Sequence, residues 1–73
     1  MEHAFRHTGL TYDAAVEILA GLGTTETHAQ KVIEKAEHST FGDTTETING
    51  VTVRVDVAMT RSNPYSVRTP DQR

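Results

Sequence analysis

The dipeptide Asn49-Gly50, set between two stretches of strand-forming residues, constrains the fold of this chain more than any other feature. Asn and Gly tolerate the positive φ angles of a type I′ turn, which joins two antiparallel strands through a two-residue loop. From Val51 to about Met59, apolar and polar side chains alternate. Alternation with a period of two is typical of a strand that is buried on one face. The sequence therefore predicts a β-hairpin that turns at residues 49 and 50.

A two-residue loop also determines which residues of the two strands lie opposite each other. Ile48 is predicted to face Val51, and the apolar face of the hairpin then consists of Ile48, Val51, Val53, Val55, Val57 and Met59. The same register places Asp43 opposite Asp56, and like charges in that position are destabilising. We therefore expect the first strand to begin after Asp43. The far end of the second strand, beyond Val55, is expected to form an open edge for a partner.

Two helices are predicted before the hairpin. The first runs from Tyr12 to about Leu22, with Thr11 as its N-cap and Gly23 as a left-handed stop. The second runs from about Glu26 to His38. In both, apolar residues recur at positions 0, 3, 4 and 7, as on one face of a helix. These residues are Ala15, Ile18, Leu19 and Leu22, then Ala29, Val32, Ile33 and Ala36.

The predicted fold is a small α+β domain, with a helix-turn-helix followed by an antiparallel β-hairpin (α-α-β-β) and an extended C-terminal tail. A chain of 73 residues has room for one domain at most. Residues 1–10 are interpreted as a lead segment without pattern, 11–60 as the domain, and 61–73 as a Pro/Arg-containing tail that stays mobile until bound. Because a two-stranded hairpin is not stable alone, the helices are expected to cover its valine face.

The net charge of −3 is unevenly distributed along the chain. Residues 1–47 contain eight acidic and three basic side chains, whereas residues 48–73 contain four arginines and two aspartates. The acidic balance disfavours non-specific binding of nucleic acid, with the arginine-rich end as an exception. The chain has no cysteine, no apolar run near the ~20 residues that cross a membrane, and no signal-peptide pattern at its start. We therefore expect a soluble, cytoplasmic protein.

The sequence predicts no catalytic site, no metal site and no cofactor. His3 and His7 with Glu2 supply too few ligands for a closed metal site. His38 and Ser39 are neighbours, but nothing indicates the third group that would orient a nucleophile and its base. A domain of this size rarely forms a ligand-sized pocket within one subunit. An enzyme with a small-molecule substrate is therefore not expected.

Binding is the function that the sequence favours. We expect a small non-catalytic accessory protein that contacts a protein partner, or a second copy of itself, through the hairpin edge and the tail. Arg and Tyr are enriched in protein interfaces, and an extended tail can become ordered on a partner. The residues predicted to bind the partner are Arg54, Val57, Met59, Arg61, Tyr65 and Arg68.

The alternative is a DNA-binding regulator. Two helices joined by a tight turn and followed by a hairpin resemble winged helix-turn-helix proteins in element order, and in that family the second helix enters the major groove. Here the second helix would present Gln30, Lys31 and Lys35 to DNA, together with Glu34 and Glu37, which phosphates repel. The hairpin and the arginine-bearing tail would complete this interface.

Overall fold

The computed structural model describes residues 5–69 and shows two helices packed on one face of a four-stranded antiparallel sheet. In chain order the elements are β1 (Arg6–Leu10), α1 (Tyr12–Ala20), α2 (Glu26–Glu37), β2 (Asp43–Ile48), β3 (Val51–Val57) and β4 (Tyr65–Arg68). Across the sheet the strands follow the order β1-β4-β3-β2, so β1 and β2 are the edge strands. The α+β class is confirmed, and so is the helix-turn-helix followed by a β-hairpin.

The hairpin between β2 and β3 has the predicted turn and the predicted register. Asn49 has a φ of 52° and Gly50 a φ of 81°, and both angles are positive as a type I′ turn requires. Ile48 pairs with Val51, and the pairing continues without a shift to the far end of β2. The strand β3 ends at Val57, two residues before its predicted end.

The prediction that the first strand of the hairpin begins after Asp43 is wrong. Asp43 pairs with Asp56, and Arg54 lies between the two carboxylates. Its Nη2 atom is 2.5 Å from Asp43 Oδ2, and its Nε atom is 3.5 Å from Asp56 Oδ1. A guanidinium in this position offsets the repulsion between the aspartates, because it attracts both of them.

The two helices begin where the sequence predicts, because each has a threonine cap. The side chain of Thr11 accepts a hydrogen bond from the backbone of Ala14, and that of Thr25 accepts one from the backbone of His28. The helices end slightly earlier than predicted, α1 at Ala20 and α2 at Glu37. Among residues 5–69, neither helix is long and apolar enough to cross a lipid bilayer.

The core lies between the two helices and the inner face of the sheet. Its buried residues are Ala15, Val16 and Leu19 of α1, Ala29, Val32, Ile33 and Ala36 of α2, Ile48, Val53, Val55 and Val57 of the hairpin, and Val67 of β4. Since side chains alternate between the faces of a strand, the residues that alternate with these buried positions, such as Arg54, Asp56 and Arg68, lie on the outer face. We call this outer face, which the helices leave uncovered, the open face.

The position of β4 corrects the prediction of an extended tail for residues 61–69, whereas residues 70–73 of that tail lie outside the described residues. This strand lies in the interior of the sheet, between β1 and β3, and its Val67 pairs with Val55. The open edge that we expected beyond Val55 is therefore covered by a strand of the same chain. The lead segment likewise contributes β1, which pairs with β4. The sheet therefore contains residues that precede the predicted 11–60 domain and residues that follow it.

Candidate interaction surface

Three arginines form a row across the open face. Arg54 lies between the buried residues of β3 and points away from the core, and Arg68 follows the buried Val67 on β4. Arg54 is directly opposite Arg68 in the pairing of β3 with β4, and Arg68 is directly opposite Arg6 in the pairing of β4 with β1. We call Arg6, Arg54 and Arg68 the arginine row.

The arginine row brings like charges into an unfavourable arrangement. Neighbouring strands are ~4.8 Å apart, so the row spans roughly 10 Å across three strands. Like charges at directly opposite positions destabilise a sheet by an amount comparable to the ~0.2–1 kcal/mol that favourable pairs contribute. The row therefore opposes folding unless anionic groups neutralise it.

Two aspartates on the open face neutralise part of the row. Arg54 contacts both Asp43 and Asp56, and its hydrogen bond to Asp43 raises the pKa of the Arg54 guanidinium above its usual value. Arg68 Nε lies 3.5 Å from Asp56 Oδ2. Arg6 has no ion pair with any of residues 5–69. The positive charge in excess therefore lies at the β1 end of the row.

The row is accessible to a partner. The side chains of Arg54 and Arg68 are 38% and 35% exposed, and Arg6 is an exposed residue. Hydroxyl groups complete the open face, which carries Thr45, Thr47, Thr52 and Ser66. Aromatic side chains lie elsewhere in the described structure, because Phe5, Tyr12 and Tyr65 pack against the core and Phe41 precedes β2. The open face is thus hydrophilic and basic, with no ring on which a nucleobase could stack.

The two faces of the domain carry opposite charge. The helices α1 and α2 contain five acidic and two basic side chains, which are Asp13, Glu17, Glu26, Glu34, Glu37, Lys31 and Lys35. On the open face, the three arginines outnumber the two aspartates. An anion that approaches the domain is therefore attracted to the open face and repelled by the helical layer.

Of the six residues that the sequence predicts as partner-binding, the structure brings only two together on the open face. Arg54 and Arg68 are direct cross-strand neighbours. Arg61 is exposed in the connection between β3 and β4, and Met59 at the start of the same connection is 75% exposed. Both residues therefore lie outside the strands that form the open face.

The remaining two predicted residues face the helices. Val57 is only 9% exposed and belongs to the core. Tyr65 is half-buried, and its hydroxyl donates a hydrogen bond to Glu37 Oε2 of α2. This hydrogen bond, with a smaller contribution from burial, raises the pKa of Tyr65 to about 12. Tyr65 therefore ties β4 to α2, and Val57 is not available for a partner.

Sequence reasoning missed Arg6, the third member of the row. The residues around it do not alternate, and its neighbour in space, Arg68, lies near the other end of the chain. Only the pairing of β1 with β4 brings the two together. Alternating apolar and polar residues before helix α1 would have indicated a strand that contains Arg6. Residues 5–10 do not have this pattern.

Residues 5–69 contain no group of three His, Asp or Glu side chains that could hold a metal ion. His28 is engaged with its neighbours, since its Nδ1 lies 2.7 Å from Thr24 Oγ1 and its Nε2 lies 3.8 Å from Glu46 Oε2. His3 lies outside the described residues.

Comparison with protein-family models, with curated protein sequences and with solved structures finds no significant match to this chain, so the role of the arginine row has to be inferred from its geometry.

Proposed function

We propose that this protein is a small, non-catalytic binding protein whose arginine row holds an acidic surface of a protein partner. The observation that supports this proposal is the direct cross-strand juxtaposition of Arg6, Arg68 and Arg54 on an exposed face. In the isolated domain Asp43 and Asp56 offset the charge of Arg54 and Arg68, but Arg6 lies opposite Arg68 without an ion pair among residues 5–69. That end of the row stays repulsive, and positions that oppose folding are concentrated at functional sites. An anionic partner turns the repulsion into attraction.

Carboxylates on a partner helix fit the row best. A guanidinium pairs with a carboxylate through two parallel hydrogen bonds, which gives direction as well as charge. On a helix, glutamates three or four positions apart lie ~5–6 Å from each other, close to the ~4.8 Å between strands. On an extended strand, side chains on one face are ~6.6 Å apart. A helix that crosses β3, β4 and β1 therefore matches the row more closely than an extended peptide does.

Two features support binding over catalysis and over DNA recognition. None of the polar or charged side chains in residues 5–69 is fully buried, and the acids and bases of enzymes are commonly tuned by burial. The helix α2, which would enter the groove of DNA, carries Glu26, Glu34 and Glu37 beside its two lysines. DNA phosphates would be repelled by that helix and attracted by the arginine row alone.

Binding of a defined acidic helix tests the proposal. The probe is a fluorescently labelled, alanine-based peptide with glutamate at every fourth position, and its matched control has glutamine at those positions. At low salt we expect the protein to bind the glutamate peptide and not the glutamine peptide, as measured by fluorescence anisotropy. Arg6→Ala/Arg68→Ala is expected to weaken binding roughly 2- to 30-fold, since each exposed ion pair contributes ~0.2–1 kcal/mol.

Arg61 provides the control for unspecific charge effects. Arg6→Ala and Arg61→Ala remove the same charge from exposed positions, but only Arg6 belongs to the row. Equal weakening by the two single variants would overturn the proposal, and so would equal binding of the two peptides. Tighter binding to a generic DNA duplex than to the glutamate peptide, lost in Arg6→Ala/Arg68→Ala, would support the DNA-binding alternative instead.

A further inference from the structure

The outer edge of β2 has backbone groups without a partner among residues 5–69. In a hairpin closed by a two-residue turn, the residues next to the turn form a hydrogen-bonded pair, and every second pair beyond it does the same. The even-numbered residues of β2 therefore bond to β3, as the 2.7 Å hydrogen bond from Val57 N to Gly42 O also shows. The amide and carbonyl groups of Thr45 and Thr47 consequently point away from β3, outward from the free edge of the sheet.

Within the part of the chain that the structure describes, only the first of the outward amides of β2 has an acceptor. Asp43 N donates to Ser39 Oγ at 2.9 Å. The amides of Thr45 and Thr47 have no acceptor among residues 5–69, because β2 pairs with β3 alone. These groups are available to an added strand.

The two edges of the sheet differ in their protection against such pairing. On β1 the register shifts between His7 and Leu10, and Gly9 has a φ of 64°. Irregular edges of this kind hinder the addition of a strand. The edge strand β2 keeps one register over its six residues and contains neither proline nor lysine. Its two charged residues, Asp43 and Glu46, form ion pairs with Arg54 and Lys35 within the domain.

We infer that two copies of the chain pair through β2, antiparallel and about a two-fold axis at Thr45. A two-fold axis perpendicular to the sheet keeps both helical layers on one side of the joined sheet. Odd-numbered residues of one copy then lie opposite odd-numbered residues of the other, and even-numbered residues opposite even-numbered ones. Thr45 then faces Thr45 of the second copy. Asp43 faces Thr47, and Thr44 faces Glu46. With the axis moved to Glu46, two glutamates would face each other, which is unfavourable.

The same pairing accounts for an exposed aromatic side chain. Phe41, just before β2, is 87% exposed. Antiparallel pairing brings the beginning of β2 beside the end of the second copy's β2, where Ile48 and the hairpin turn lie. Phe41 can therefore be partly covered by the hairpin turn of the second copy, whereas Ile48 is only 3% exposed and stays in the core. The pairing strand has six residues, against the ~20–30 residues a side of a standard interface, so we expect a weak and reversible dimer.

Sedimentation velocity from micromolar to near-millimolar protein tests the inference. We expect a monomer–dimer equilibrium for the unaltered chain. Thr45→Pro removes an outward amide that β3 does not use, so it should raise the dissociation constant at least tenfold while circular dichroism stays unchanged. Thr45→Val keeps the amide and the shape of the side chain, and should dimerise like the unaltered chain.

A charge exchange at the axis tests the register itself. In Thr45→Lys, and likewise in Thr45→Glu, position 45 of one copy faces the same charge at position 45 of the other copy. Each variant alone should therefore dimerise less. An equimolar mixture should recover the dimer, a result that misfolding cannot produce. Arg6→Ala should leave dimerisation unchanged, which separates this inference from the binding proposed for the arginine row. Three results would overturn the pairing: an unaltered chain that stays monomeric, a Thr45→Pro variant that dimerises normally, or a mixture without recovery.

Discussion

Replacing Arg6 with threonine is expected to stabilise the fold while it weakens the binding of an acidic partner. Arg6 is opposite Arg68 and has no ion pair with any of residues 5–69. Two unit charges ~7 Å apart in a water-like medium repel each other by ~0.6 kcal/mol. Threonine is also a better strand former than arginine. We therefore expect the free energy of unfolding to rise by about 0.5 kcal/mol at low salt, or Tm by ~2–4 °C.

The dependence on salt identifies the cause of this gain. The Debye length falls from ~10 Å at 0.1 M salt to ~3 Å at 1 M, so most of the repulsion is screened at the higher concentration. Urea unfolding followed by circular dichroism at low salt and at 1 M NaCl measures both values. The gain of Arg6→Thr should shrink at 1 M to the part that comes from strand propensity.

Two control variants separate the row from the overall charge. Arg6→Lys keeps the charge and should show little gain. Arg61→Thr removes the same charge outside the open face, and because the chain already carries a net charge of −3, this change should be neutral or slightly destabilising. A loss of stability in Arg6→Thr at low salt, or a gain that is undiminished at 1 M NaCl, would refute the repulsion on which the row's interpretation depends.

Three further perturbations test the fold. Truncation after Thr60 should abolish the cooperative thermal transition seen by circular dichroism, because it removes β4 from the interior of the sheet; a cooperative transition in the shortened chain would contradict this placement. Tyr65→Phe should lower the free energy of unfolding by about 1 kcal/mol, because the partly exposed hydrogen bond to Glu37 is lost. The pKa of Tyr65 is raised to about 12 in the folded state against an ordinary value of ~10, so the unfolded state releases its proton first. The contribution of Tyr65 to the free energy of unfolding should therefore be complete below pH 10 and decline towards pH 12. Urea unfolding at several pH values should show a smaller decline for Tyr65→Phe. Gly23→Ala should destabilise by more than ~1 kcal/mol in urea unfolding, because a φ of 112° is unfavourable for alanine and the new Cβ would lie 2.8 Å from Asn49 Nδ2; an unchanged midpoint would refute that contact.

Local chemistry explains which parts of the fold the sequence predicts. The caps at Thr11 and Thr25 act within one helical turn, and Asn49-Gly50 determines the register of the hairpin through its own backbone angles. Each of these features depends on residues that are close in the chain. The like-charge argument at Asp43 failed for a related reason, since it compared only directly opposite residues and overlooked the diagonal reach of Arg54.

Long-range pairing explains what the sequence does not predict. The strand β4 has only four residues, and its one fully buried side chain is Val67. Its partners are β3 and a strand from the beginning of the chain, so no local pattern distinguishes it from an extended tail. The candidate surface has the same origin. Arg54 and Arg68 could be named from the sequence, but their juxtaposition with Arg6 follows from the topology alone.

Mapping the bound surface by NMR tests the central claim most directly. The unaltered protein, labelled with ¹⁵N, is titrated with the alanine-based glutamate peptide while amide chemical shifts are recorded. The largest changes should cluster at the amides of Arg6, Arg54, Arg68 and their neighbours on β1, β3 and β4, with few changes on the helices. Changes concentrated on α1 and α2, or no changes at all at low salt, would contradict the assignment of the open face as the binding surface.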